Sequence, residues 1–89
     1  MNEWMNTLEH RNIVPLVAPE LGIAGVCVSL WLVPVGADVL EGDRVVELVA
    51  GGVTVDLGAP VTGRLVAHLI DEDAPAPAGT VLAEFEAAP

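Results

Sequence analysis

Short apolar runs rich in valine follow one another from Ile13 to the end of the chain. β-Branched side chains favour extended structure, because their restricted torsions fit a pleated sheet better than a helix. Glycine and proline separate the runs at short intervals, which leaves no room for long helices. The pattern therefore predicts an all-β fold of short antiparallel strands, either a sandwich or a small barrel.

Two segments carry clear turn and loop signals. Gly51 and Gly52 lie between apolar arms at 45–49 and 53–57, and two consecutive glycines tolerate the positive φ angles of a two-residue type I′ turn. A β-hairpin is predicted there. Alternating alanine and proline within 73–79 cannot form a regular ladder, so this segment is predicted to be a loop.

The sequence divides into an N-terminal extension at 1–12, one domain at 13–86 and a tail at 87–89. Trp4 and Leu8 are spaced to share one helix face, so the extension is either a short helix or disordered. A chain of 89 residues suits a single small core. Its first and last residues are compatible with either a whole protein or an excised domain.

A weak internal repeat relates two parts of the chain. Residues 42–48, GDRVVEL, align with residues 79–85, GTVLAEF, and each segment starts at a glycine and carries a glutamate before an apolar residue. Self-similarity of this kind is typical of structures built from related units. Two related halves predict an approximate two-fold axis.

Composition and charge narrow the classes of partner. Thirteen acidic residues against three basic ones give a formal charge of -10, which opposes binding to nucleic acid and to anionic membranes and favours a basic protein partner. The single cysteine, Cys27, cannot close an internal disulfide, which fits a reducing cytoplasm. No signal peptide or membrane-spanning run is recognisable: the most apolar stretch, 22–37, is too short and is interrupted.

Five segments, taken in their order along the chain, resemble the lipoyl and biotinyl attachment domains, the swinging-arm carriers of 2-oxoacid dehydrogenases and biotin carboxylases. They are PELG at 19–22, WLVPVG at 31–36, VLEGD at 39–43, APVTG at 59–63 and GTVLA at 79–83. The resemblance implies a flattened β-barrel, or barrel-sandwich hybrid, of two short antiparallel sheets with pseudo-two-fold symmetry. Trp31 is then expected to pack in the core or against a sheet.

The same comparison reveals a departure at the hairpin tip. Gly52 stands where these domains carry the lysine that is modified, and the chain contains no lysine at all. Amide attachment of lipoate or biotin needs a primary amine, so no cofactor is predicted. Asp73 also replaces a glycine of the family pattern, and smaller residues at 76–78 predict a looser second sheet.

The predicted function is therefore a non-lipoylated, non-catalytic binding or assembly subunit. The expected partner is an acyltransferase of the dihydrolipoyl-acyltransferase type, as in bacterial biosynthetic pathways, or a carboxylase; an inhibitory carrier mimic is a second form of this hypothesis. The candidate contact residues are Trp4 and the tip residues Val49, Ala50, Gly51, Gly52 and Val53. The apolar tip is either a docking surface or merely degenerate.

The alternative function is a carrier or enzyme that uses Cys27 or Ser29 directly. Both residues lie in an apolar run without a nucleophile signature, which favours structural roles. No metal site is predicted, because the acidic run at 71–73 is better interpreted as a solvated turn. His68 occupies a strand position that is usually aliphatic, so it indicates either a polar pocket or a hydrogen-bonded core histidine.

Overall fold

A computed structural model describes residues 12–89, which form two antiparallel β-sheets. The strands are β1 (Ile13–Val17), β2 (Cys27–Trp31), β3 (Asp38–Val39), β4 (Arg44–Ala50), β5 (Val53–Gly58), β6 (Gly63–His68) and β7 (Val81–Ala87). One sheet has the order β1-β7-β6-β3 and the other the order β2-β4-β5. The all-β fold of two short antiparallel sheets is confirmed. No helix in this part of the chain is long and apolar enough to cross a membrane.

The hydrophobic core receives side chains from both sheets. The largest fully buried side chains are Phe85, Leu48, Leu65, Leu82, Val28, Val45 and Val46. Burial of each such side chain stabilises the fold by roughly 1.5 to 3 kcal/mol. No polar or charged side chain is buried among the described residues, so this core is held by apolar packing alone.

The internal repeat is visible in the backbone. Gly42 and Gly79, 37 positions apart, have φ angles of +88° and +89°. Their amides donate to the carbonyls of Ala59 and Ala18, both at 2.9 Å. β4 and β7, which follow these glycines, also share one order of exposed and buried positions over their first five residues. The predicted pseudo-two-fold relationship is confirmed. Residues from β2 to β4 are equivalent to those 37 positions later, and β1, which pairs with β7, is equivalent to β5, which pairs with β4, so that Ile13 corresponds to Thr54, Val14 to Val55 and Pro15 to Asp56.

The β-bulges of the two sheets also lie at equivalent positions of the repeat. β2 contains an extra residue, Ser29, against β4, and β6 contains an extra residue, Val66, against β7. Such β-bulges add one residue to a strand and bend it locally. Ser29 and Val66 are 37 positions apart, so the bulge at Ser29 belongs to the fold and is not a special feature of that residue.

The second half departs from the symmetry where the sequence predicted a loop. The segment equivalent to β3 is reduced to an isolated bridge between Cys27 and Pro75. Proline lacks an amide hydrogen and cannot continue a ladder. Within residues 12–89 the second sheet therefore has three strands where the first has four. Asp73, equivalent to Gly36, keeps a positive φ of +69° despite its side chain.

Candidate functional site

The hairpin between β4 and β5 ends in the predicted two-residue turn. Ala50 pairs with Val53, and Gly51 and Gly52 between them have φ angles of +55° and +80°. Positive φ at both central residues defines a type I′ turn, whose twist matches that of the flanking strands. The two glycines therefore allow the tightest connection and fix the tip relative to the sheet.

The exposed surface of the tip consists of Gly51, Gly52 and Val53. The exposed fraction of Val53 is 52%. Val49 is half-buried and Ala50 is buried. A side chain added at either glycine would meet nothing within 4 Å. The tip thus offers an accessible backbone and one apolar side chain, and it contains no amine, thiol or hydroxyl for covalent attachment. Trp4, the other predicted contact, lies outside the described residues.

The base of the hairpin is joined by cross-strand contacts. Arg44 at the start of β4 pairs with Asp56 of β5, with an Nη1 to Oδ2 distance of 3.3 Å. Leu57, further along β5, packs against the core. The ion pair joins the two arms of the hairpin to each other, and Leu57 anchors β5 against the core.

Cys27 lies in β2 and is half-buried. Its Sγ is 3.7 Å from the carbonyl oxygen of Gly25, a weak contact with its own loop. Within residues 12–89, no lysine, arginine or histidine side chain forms a hydrogen bond or ion pair with this sulfur. The structure therefore places Cys27 in an ordinary strand position, without the cationic neighbour that activates reactive thiols.

Ser29 donates a hydrogen bond from Oγ to Oε1 of Glu47, which lies across the sheet on β4, at 3.0 Å. Both side chains are half-buried. A carboxylate that accepts from a serine hydroxyl resembles the first step of nucleophile activation. No histidine contacts this pair in the described structure, and His68 is engaged elsewhere. The Ser29–Glu47 contact had no signal in the sequence, because the two residues are 18 positions apart along the chain.

His68, at the end of β6, is half-buried and stacks on Trp31. Its Nε2 lies 3.0 Å from the carbonyl oxygen of Val33. The hydrogen bond expected of a core histidine is present, but His68 is only half-buried and lies outside the buried core. Glu72, in the predicted solvated turn, is exposed, and its Oε2 accepts a hydrogen bond from the backbone amide of Trp31 at 2.9 Å.

The described residues bring no three potential metal ligands together. Two acidic side chains at and beside β3 have other partners. Asp38 pairs with Arg64 at 3.2 Å, and Asp43 accepts a hydrogen bond from the amide of Leu40 at 2.8 Å. The first contact is an exposed ion pair between β3 and β6, and the second is typical of an aspartate in a turn.

The described residues thus form a small β fold of two related halves with an exposed hairpin tip, and comparison with known proteins identifies its family. The family model described as biotin-requiring enzyme matches residues 15–85. The dihydrolipoyllysine-residue acetyltransferase components of the pyruvate dehydrogenase complex from Mycobacterium bovis and from Mycobacterium tuberculosis are each 36% identical over 73 residues. The chain belongs to the biotinyl and lipoyl attachment family. The match covers 80% of this chain but only 13% of each relative.

Proposed function

We propose that this chain is a non-lipoylated member of its family that acts as a protein-binding and assembly module. The observation that carries the proposal is the tip itself, where Gly51 and Gly52 occupy the turn and the chain contains no lysine. Lipoate and biotin are attached through a primary amine. A tip without an amine keeps the shape of a carrier but loses its covalent chemistry.

The tip is a reasonable contact surface for a partner. Backbone amides and carbonyls at two glycines are open to a close approach, since no Cβ covers them and nothing lies nearby. Val53 adds an apolar contact with an exposed fraction of 52%. Because the turn is fixed by its type I′ geometry, binding there requires little ordering of the backbone.

The identity of the relatives suggests the partner. They are acetyltransferase components of a multienzyme complex, so an acyltransferase is the first partner to test, and a carboxylase of the biotin-dependent type is the second. The formal charge of -10 favours a partner with a basic surface, because complementary charge speeds encounter and aligns the two surfaces. Occupation of a carrier's place without cargo would make the same module inhibitory.

A carrier function through Ser29 is the second candidate, since its hydroxyl donates to Glu47 at 3.0 Å. Intact mass of protein isolated from its native cells separates the two functions. The unmodified mass is expected. An acyl or phosphopantetheine adduct on Ser29 or Cys27 would contradict the assembly function.

The assembly function is tested by mass spectrometry of the proteins that co-purify with the chain at physiological salt. Stoichiometric recovery of an acyltransferase or carboxylase subunit is expected, and its loss is expected in the double variant Gly51→Glu with Gly52→Glu. The matched control is Gly36→Glu with Gly79→Glu, at glycines that also have positive φ and open surroundings. Loss of the partner in both double variants would show that charge or strain, and not the tip, is responsible. Recovery of no such subunit by the unmodified chain would contradict the proposal.

A further inference from the structure

The sheet edges of residues 12–89 differ in their protection against pairing with another strand. Edge strands expose backbone N–H and C=O groups, which proteins shield by short length, proline, charge or cover. β3 has only two residues. The outer edge of β2 is covered where the amide of Val28 donates to Ala74 at 3.0 Å. β1 carries Pro15 at its centre.

β5 has none of these devices. Its sequence, VTVDLG, contains no proline and spans six residues. No backbone hydrogen bond from a described turn or loop reaches residues 53–58. Its only charged side chain, Asp56, is paired with Arg44 at 3.3 Å, which reduces the charge met by an approaching strand. Among the edges of the described residues, β5 is the one open to a further strand.

The repeat shows which backbone groups of β5 point outward. Pro15 of β1 pairs with Glu84, and Asp56 of β5 pairs with Glu47, which is equivalent to Glu84. Proline has no amide hydrogen to donate to the neighbouring strand, so its position is one whose backbone groups face away from that strand. By equivalence, the amide and carbonyl of Asp56 face away from β4. Thr54, two residues earlier, faces the same side.

We propose that β5 pairs antiparallel with β5 of a second copy of this chain, centred on Val55. In this register Thr54 lies opposite Asp56 of the second copy, and both present outward amides and carbonyls. Val53 lies opposite Leu57. On one face of the new strand pair all side chains are apolar, namely those of Val53, Val55 and Leu57. On the other face the hydroxyl of Thr54 lies opposite the carboxylate of Asp56, and no two like charges lie directly opposite each other. The strand is self-complementary, which is why a second copy is the occupant.

The dimer is expected to be weak and sensitive to salt. Pairing along one short strand buries much less than the roughly 1,600 Å² of a standard stable interface. Each copy carries a formal charge of -10, and this repulsion is screened over about 8 Å at physiological salt. Antiparallel pairing directs the two hairpin tips toward opposite ends of the joined strands. Gly51 and Gly52 lie outside the paired residues, and Val53 is the one residue that the paired strand shares with the tip.

Sedimentation velocity and hydrogen exchange of the full chain test the proposal, over about 10 µM to 1 mM protein at low and high salt. The molar mass is expected to rise with concentration from 9.2 kDa toward twice that value, and more readily at high salt. Amide exchange at Thr54 and Asp56 slows in parallel, whereas that of Ile13, equivalent to Thr54 on β1, does not change. A monomer at every concentration, or a dimer with fast exchange at Thr54 and Asp56, overturns the proposal.

Two variants at one position separate backbone pairing from charge. Asp56→Pro and Asp56→Asn both lose the ion pair with Arg44, but only the first removes an outward amide hydrogen. The proline variant is expected to stay monomeric and the asparagine variant to dimerise at least as well as the original chain. If Asp56→Pro fails to fold, Val55→Lys is the second disrupting variant, because it places two lysines opposite each other at the centre of the strand pair. Its control is Val14→Lys, the equivalent change on β1, which is expected to leave the dimer intact. A dimer that persists in Val55→Lys contradicts the register.

Discussion

Trp31 and His68 occupy equivalent positions in the two halves of the chain and stack on each other, with ring centroids 3.9 Å apart and planes 13° from parallel. Each ring also donates a hydrogen bond to the opposite half. Nε1 of Trp31 donates to the carbonyl of Ile70 at 2.9 Å, and Nε2 of His68 lies 3.0 Å from the carbonyl of Val33. Because a carbonyl only accepts, Nε2 of His68 must carry the proton. The histidine thus reproduces the indole contact of its counterpart and joins the halves at their pseudo-symmetry axis.

Replacement of His68 by phenylalanine separates the two parts of this contact. The aromatic stack is retained, but the half-buried carbonyl of Val33 loses its donor, so the free energy of unfolding is expected to fall by about 1 to 2 kcal/mol. His68→Ala removes the stack as well and is expected to cost about 1 kcal/mol more. Urea denaturation followed by circular dichroism measures both. Equal stability of His68→Phe and the original chain would show that the hydrogen bond contributes nothing.

Among the described glycines, Gly63 leaves the least room for a side chain. A Cβ atom there would lie 2.0 Å from the carbonyl oxygen of Glu86 on β7. Gly63→Ala must therefore push β6 and β7 apart, and we expect a loss of about 3 kcal/mol or more in the free energy of unfolding. Gly79→Ala is the control, because Gly79 has a positive φ of +89° but open space around it. Its cost is expected to be only about 1 to 2 kcal/mol. A thermal or urea melt that ranks the two variants in the opposite order contradicts this explanation.

Local signals in the sequence were sufficient for part of this structure. The Gly51-Gly52 turn could be predicted because both arms and the turn lie within one short segment, and hairpin geometry depends on the turn residues. The repeat was visible at Gly42 and Gly79, since the same positive φ selects the same residue type in both halves. Strand positions followed from valine content and turns, and the shape followed from the family resemblance.

Contacts between distant residues had no comparable signal. Trp31 and His68 are equivalent in space but differ in residue type, so the repeat could not be extended to them from the sequence. β1 pairs with β7 from the other end of the chain, and only tertiary packing selects that register. The tip was predicted as one apolar surface, yet Ala50 is buried while its cross-strand partner Val53 is exposed, and only tertiary packing makes this difference.

Asp73 provides a test of the asymmetry between the halves. It adopts a φ of +69°, where its equivalent Gly36 adopts +95°. Aspartate tolerates this conformation better than most residues but still less well than glycine. Asp73→Gly is therefore expected to raise the free energy of unfolding by about 0.5 kcal/mol, and the reciprocal change Gly36→Asp to lower it by about 1 kcal/mol. Thermal melts of both single variants measure the effect. A decrease in stability for Asp73→Gly would show that the carboxylate makes a favourable contribution larger than the strain.

Introducing a lysine at the tip tests whether the missing amine is the only feature that prevents lipoylation of this chain. Gly52 is exposed, has a φ of +80° and has open space around it, so a lysine there projects into solvent at a cost of roughly 1 to 2 kcal/mol. The double variant Gly51→Asp with Gly52→Lys, treated with a lipoate ligase, lipoate and ATP, is expected to gain one lipoyl group by intact mass.

The control for this experiment is Gly51→Asp with Gly52→Arg, which has the same charge but no primary amine, and it should remain unmodified together with the original chain. Modification of the lysine variant would mean that the barrel and the hairpin still present the tip as a carrier does. Failure of the folded lysine variant to react, while a lipoyl domain in the same mixture does, would contradict this prediction. Other differences, such as the single bridge between Cys27 and Pro75 in place of a fourth strand among residues 12–89, would then also exclude recognition by the ligase.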